Sequence, residues 1–268
     1  MAVVAGGRGA GVGRRDHNDA VRVRFVGSGD AFGSGGRWQT CIRVVADGQV
    51  LLVDCGATSL VALKAQGLDP NAIDAVVVSH LHGDHFGGLP FLILDGQFAG
   101  RTAPLMVAGP PGIRARLGEA METLFPGSTQ VRRRFSVEVV ELTPDGTPAE
   151  VGAATVRGWE VEHACGAPPL ALNIELDGSR FAYSGDTQWT SGLVEAARGA
   201  DLFAVEAYTF DRPIRYHLDY RTLREHLTEI QAERIVLTHM STSMLARLTE
   251  AELPAAYDGM SIDLRSQP

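Results

Sequence analysis

The sequence predicts an α+β fold, with two β-sheets packed face to face and helices on both outer faces, a four-layer αββα sandwich. Three observations predict it. Short apolar or alternating runs recur through both halves of the chain, and helix-patterned stretches fall between them in two clusters. Hydrophobic residues make up 45% of the 268 positions, enough to bury a large core.

Taken in order, residues 21–26 alternate as Val-Arg-Val-Arg-Phe-Val and read as a strand. Residues 27–36 form a glycine-rich loop without the Lys-Ser/Thr of a P-loop, so either a turn between strands or a loop approaching an active site. Residues 41–46 and 50–54 suit a hairpin around Asp47-Gly48, and residues 58–66 a helix stopped by Gly67. Residues 75–79 are a compact β-branched run, hence a buried strand. A helix over 87–98, a strand over 104–108 and a proline-opened helix over 111–124 follow. Strands are expected at 135–142 and 151–163, and a hairpin over 171–177 and 180–184 turns at Asp177-Gly178. The pattern closes with helix 191–198, strand 201–206, helix 219–232, strand 234–238 and strand 260–264. No tandem repeat or Pro/Ser-rich linker divides residues 20–268, which read as a single domain. Residues 1–19 are rich in Gly, Ala and Arg, lack the apolar stretch of a signal peptide, and read as a disordered tail.

The net charge is −8 and the pI about 5.5. An acidic surface does not attract a polyanion in general, so the composition argues against nucleic acid as a partner. Arg132-Arg133-Arg134 is the one basic run, and it reads as a solvated turn before a strand. Three cysteines without paired spacing (Cys41, Cys55 and Cys165) argue for a reducing compartment, and a cytoplasmic protein is expected. No run approaches the roughly 18 apolar residues of a membrane span.

The chemistry concentrates in Ser79-His80-Leu81-His82-Gly83-Asp84-His85. Four potential ligands occupy six positions, and imidazole nitrogen with carboxylate oxygen suits zinc, iron or manganese. On an extended strand end His80 and His82 point the same way, because side chains repeat every two residues. Gly83 then permits a turn that brings Asp84 and His85 to a second metal. With eight histidines in the chain, chance would produce this pattern roughly once in two thousand sequences of the same composition.

This cluster resembles the signature of the metallo-β-lactamase superfamily. Further residues carry the resemblance over about 21–264: the Leu51-Leu-Val-Asp54-Cys-Gly56 segment, His163, Asp186 in Tyr-Ser-Gly-Asp-Thr, and His239 in Leu-Thr-His-Met-Ser. It implies that His80, His82 and His163 hold one metal and Asp84, His85 and His239 the other. Asp186 would bridge the two, and Asp54 would brace the ligand loop. Two divalent ions follow, Zn2+ first and Mn2+ or Fe2+ as alternatives. Cys165 has no place in this pattern and reads as packing, and His226 reads as a surface residue of its helix.

Gly109-Pro-Pro-Gly112, Ser184-Gly-Asp-Thr187, Val205-Glu206-Ala207 and the stretch Tyr216-His217-Leu-Asp219 through His239 resemble the ribonuclease Z-like phosphodiesterases. In that group a histidine at the position of His217 donates to the phosphate or its leaving group. Glu206 would orient a neighbouring ligand, and Tyr208 and Tyr216 would line the pocket. Ribonuclease Z also carries a long arm that grips tRNA, inserted after its third histidine. Here only 23 positions separate His163 from Asp186, much of that span is strand-patterned, and the arm has no room.

A metal-dependent hydrolase is therefore expected, with a phosphodiesterase as the leading form. Its substrate would be a small phosphodiester, a cyclic nucleotide or cyclic sugar phosphate, attacked by a metal-bridging hydroxide. Asp84 would also accept a proton from the water, and His217 would be the second catalytic group. The alternatives are tRNA 3′-end processing, or carbonyl chemistry as a lactonase, thioesterase or β-lactamase. Relatives of this kind are often dimers, which makes a homodimer an implication of the resemblance.

Overall fold

The computed structural model describes residues 20–46 and 48–264. The expected tail over 1–19, Asp47 of the first hairpin turn and the last four residues lie outside that set. The strands are β1 (Arg22–Gly27), β2 (Cys41–Ala46), β3 (Gln49–Val53), β4 (Ala75–Val77), β5 (Leu105–Gly109), β6 (Val137–Glu141), β7 (Ala149–Val151), β8 (Ala154–Glu160), β9 (Leu170–Leu176), β10 (Ser179–Tyr183), β11 (Leu202–Glu206), β12 (Ile235–Thr238) and β13 (Ser261–Asp263). The helices are α1 (Ser59–Ala65), α2 (Gly83–Phe86), α3 (Leu89–Phe98), α4 (Ile113–Leu124), α5 (Ser191–Ala197), α6 (Tyr220–Glu225) and α7 (Thr242–Leu245).

Two sheets result, in the orders β13-β1-β2-β3-β4-β5-β6 and β12-β11-β10-β9-β8-β7. Strand alternation divides the apolar residues between layers. Leu51, Val53 and Val77 from the first sheet meet Leu172, Ile174, Phe181 and Tyr183 from the second in the central core. The intervening Leu52 and Val76 turn outward onto α1, α3 and α4, through Leu63, Leu92 and Leu117. On the other side Phe203 and Val205 face Leu193 of α5 and Leu223 of α6. The layering is αββα, as expected from the run pattern.

Three element boundaries depart from expectation. The helix expected over 87–98 begins only at Leu89, because a separate one-turn helix, α2, precedes it. The strand expected over 151–163 is a hairpin, β7 and β8, turned at Gly152 with φ 64°. The helix expected over 219–232 ends at Glu225, and a short 3-10 turn at 227–229 leads into extended backbone at Ile230, which is buried. Its start is firm: Asp219 accepts from Thr222 N and Thr222 Oγ1.

Candidate metal centre

Parallel pairing puts the site in one place. β3 runs parallel to β4, and β10, β11 and β12 run parallel to one another. β8 and β10 are each antiparallel to β9, so they share a direction as well. Carboxyl-terminal ends therefore gather at one edge of the sandwich. Asp54 follows β3 directly, His80, His163 and Asp186 lie just past β4, β8 and β10, Glu206 ends β11, and His239 follows β12.

The contiguous cluster folds locally. His82 is extended (φ −79°, ψ 151°), and α2 then lifts Asp84 and His85 out of the strand direction. The turn packs against residues 54–56 with no room for side chains. Cys55 N donates to His85 O and Gly88 N to Cys55 O. A Cβ on Gly56 would lie 2.2 Å from Asp84 O, and one on Gly88 2.3 Å from Gly56 O. Glycine at both positions is a steric requirement of this contact.

Three groups of ligand-type side chains emerge among the described residues: His80, His82 and His163; Asp84, His85, Asp186 and His239; and Asp186, Glu206, His217 and His239, which overlaps the second. Within each, the candidate ligand atoms lie within 4.8 Å of one another. Asp186 sits between the first two groups, with Oδ2 3.9 Å from His80 Nε2 and Oδ1 3.3 Å from His85 Nε2. All seven sequence-predicted ligand positions are brought together.

The hydrogen bonding suits cation binding. His85 Nδ1 donates to Asp54 Oδ2 at 2.6 Å, and His163 Nδ1 to the Tyr216 carbonyl at 2.8 Å. Ser79 Oγ donates to Asp54 Oδ2, which leaves it to accept from His80 Nδ1 at 3.1 Å. His239 Nδ1 donates to Glu206 Oε1 at 3.2 Å. In each of these four rings Nδ1 is engaged, so Nε2 is the atom left to face the centre. His80 Nε2, His85 Nε2 and Asp186 Oδ1 are buried without an aligned hydrogen bond. Orphans of this kind are costly unless a further group satisfies them, and a divalent cation fits this donor set.

Electrostatics divide the ligand-type histidines: against their burial, the Asp186 and Asp84 carboxylates raise the His85 and His239 imidazoles above 6.5, whereas His80 and His82 lie below it. Burial, reinforced by His85, holds the His80 imidazole well below 6.5, and burial with His163 lowers His82. Both are therefore neutral at pH 7, the form that binds a cation. Burial would raise the Asp186 carboxyl, but His239 and His85 overcome it and keep it charged. Burial likewise opposes ionisation of Asp84, and the neighbouring His85 and His239 win.

Glu206 is fully buried and organises the second half of the site. Oε1 accepts from His217 Nδ1 at 2.6 Å, and Oε2 accepts from Thr187 N and Leu218 N. Burial pulls the His217 imidazolium down, but the hydrogen bond to Glu206 and its charge raise the net value above 6.5. Tyr208 stacks on the His217 ring, 4.5 Å between centroids. His217 and Tyr208 border a cavity of about 190 Å³, which His82, Asp84, His163 and Asp186 also line.

Some residues of the site were only partly legible in the sequence. Ala31 and Phe32 of the glycine-rich loop line the cavity, which decides between the two readings of that loop. Tyr216 borders a neighbouring cavity beside His163, where its carbonyl accepts from His163 Nδ1 and its ring lies edge-on to the His163 ring, 6.3 Å between centroids. Three of the four described non-glycine residues with positive φ are here: Asp54 (60°), Tyr216 (71°) and His239 (53°). His226 lies apart, stacked on Trp189 and beside Glu229, and Cys165 Sγ donates to Ala167 O. Arg133 Nη2 donates to Ser128 O, so that arginine serves its own turn.

Among the described residues no helix is long and apolar enough to cross a membrane. The family model described as "Anti-Pycsar protein Apyc1" matches residues 21–253. A relative from Methanosarcina acetivorans named Ribonuclease Z is 25% identical over 294 aligned positions, covering 90% of this chain and 93% of the relative. The crystal structure of human tRNase Z, short form, superposes with a TM-score of 0.73 at 23% identity, over 91% of this chain and 99% of that one. A diphosphatase of the PhnP family gives 0.71 at 18% identity, over 92% of this chain and all of that one. The chain belongs to the Anti-Pycsar protein Apyc1 family and is a ribonuclease Z-like, metal-dependent hydrolase of the metallo-β-lactamase fold.

Proposed function

We propose that residues 20–268 act as one cytoplasmic domain that hydrolyses a small phosphodiester, such as a cyclic nucleotide or cyclic sugar phosphate. In this reading His80, His82 and His163 would hold one divalent ion and Asp84, His85 and His239 the other, with Asp186 placed between the two sets. Zn2+ is the first choice for so many imidazoles. Two such ions would supply an acidified water and positive charge against the phosphate oxygens. The chain supplies the proton traffic. Asp84 receives a proton from the attacking water. His217, kept protonated by Glu206, donates Nε2–H to the leaving oxygen. Asp54 and Glu206 hold the histidines in the tautomer this requires.

The observation that carries the reading is His217, held by the buried Glu206 carboxylate, lining a cavity of about 190 Å³ that ligand-type residues also line. A leaving alkoxide needs such a donor, and a cavity of that volume suits one phosphodiester group. Three free cysteines support the reducing compartment.

The second reading is tRNA 3′-end processing, and the relatives named Ribonuclease Z favour it more than they favour the first. It makes nucleic acid a candidate partner, against the expectation from charge. The connection that follows the third histidine weighs the other way, because only residues 164–169 separate His163 from β9. No tRNA-gripping arm is present at that place. Metal-loaded protein should be assayed with bis-p-nitrophenyl phosphate, with 2′,3′- and 3′,5′-cyclic nucleotides and with a precursor tRNA. Turnover of cyclic nucleotides with intact precursor supports the first reading. Specific 3′ cleavage of the precursor without cyclic nucleotide turnover establishes the second.

A further inference from the structure

Phe32 is at odds with ordinary burial. It is 83% exposed, yet it lines the cavity of the metal centre. An isolated exposed phenylalanine needs no explanation. One fixed at the mouth of a polar site, on a braced loop, does.

The bracing is specific. Asp30 is buried, and its Oδ1 accepts from Phe32 N at 3.2 Å and Ser34 N at 2.9 Å, while Oδ2 accepts from Ser34 Oγ at 2.7 Å. Gln39 Nε2 donates to Ala31 O. One residue before the loop tightens, Ser28 O accepts from His239 N, which ties the loop's base to a ligand-type histidine. The backbone of Phe32 is thus set relative to the centre, while its ring stays open to solvent. Tyr208, the other aromatic ring lining the cavity, is already engaged by stacking on His217. Phe32 is left as the ring able to take a planar group.

We propose that Phe32 is a specificity-determining residue, a platform on which the planar base of a phosphodiester substrate stacks while the phosphate enters the cavity. Stacking on an aromatic ring tolerates any base, because every base has a π-face. It would favour base-bearing substrates over baseless ones without choosing strongly among bases. The proposal rests on the phosphodiesterase reading for its substrate class.

The test uses the full, metal-loaded chain with Phe32→Ala, Phe32→Leu and Phe32→Trp. The substrates are adenosine 2′,3′-cyclic phosphate and baseless ribose 2′,3′-cyclic phosphate. The kcat/KM preference for the base-bearing substrate should fall about 10-fold in F32A, chiefly through KM. F32L should stay low, and F32W should restore the preference. An unchanged preference in F32A, or equal losses on both substrates, overturns the platform and leaves the phosphodiesterase reading intact. If neither substrate is turned over, calorimetric binding of adenosine monophosphate against ribose phosphate decides. Tighter nucleotide binding that F32A abolishes keeps the platform while the phosphodiesterase reading fails. Equal binding of the two, no binding, or a nucleotide preference that survives F32A overturns the platform as well.

Discussion

The two sheets contribute to the metal centre in different ways. From the first sheet, four ligand-type side chains come from one stretch, His80 to His85, and are held by one buried carboxylate, Asp54, which accepts from Ser79 N, Ser79 Oγ and His85 Nδ1. From the second sheet, His163, Asp186 and His239 arrive singly on the ends of three strands. Glu206 holds His217 and His239 there, together with the backbone at Thr187 and Leu218. The first set is positioned by a local turn, and the second only by packing that brings distant segments together.

Substitutions can break that contrast. The largest effect is expected from His82→Ala, which removes a ligand-type group from the contiguous set. Bound metal measured by elemental analysis and turnover should vanish together, and full metal content would refute the assignment.

Next comes His217→Ala. Metal content should stay near stoichiometric while kcat falls roughly 10²- to 10⁴-fold, the usual range for losing a general acid. A normal kcat would remove His217 from the chemistry.

The sharper comparison is Asp54→Ala against Glu206→Ala. Loss of Asp54 should weaken metal affinity roughly 10- to 100-fold, as for other partners of ligating histidines. It should leave the kcat of the fully loaded enzyme close to normal, because His217 is untouched. Loss of Glu206 should reduce affinity and kcat together, since one carboxylate serves both His239 and His217. Metal titrations followed by assays at saturating metal would separate the two patterns. Identical patterns would mean that the halves are not organised separately.

The smallest effect concerns Tyr216, which meets His163 through its carbonyl at a φ of 71°. Tyr216→Gly should retain metal affinity and keep stability within about 1 kcal/mol, because the freedom of glycine in that backbone offsets the lost ring contacts with His163 and Arg215. Tyr216→Val should cost about 1–3 kcal/mol in thermal or chemical unfolding, as expected for a β-branched residue in left-handed backbone.

The same contrast explains what could be read from the sequence. The run His80 to His85 announced itself, because its ligands are neighbours in the chain and chance spacing is improbable. His163, Asp186 and His239 could be singled out only through resemblance, since nothing local distinguishes a lone histidine past a strand from a packed one. The αββα layering followed from apolar runs such as Val50 to Val53, whose neighbours Leu51 and Leu52 face opposite layers. Helix ends were less legible. The break before Leu89 reflects the backbone contact of Gly88 with Gly56, more than thirty positions away. The grip of the Tyr216 carbonyl on His163 left no trace, because a main-chain acceptor is the same whatever the side chain.

The left-handed backbone at Asp54, Tyr216 and His239 bears on how this scaffold could be hardened. A search for thermostable variants would favour glycine at each of these positions, and the three would answer differently. At 216 the relief would cost only the ring's contacts with His163 and Arg215, since the tie that orients His163 is made by the peptide oxygen. At 54 and 239 the conformational relief would arrive with a deleted side chain from the centre itself. In those two places robustness and activity pull in opposite directions.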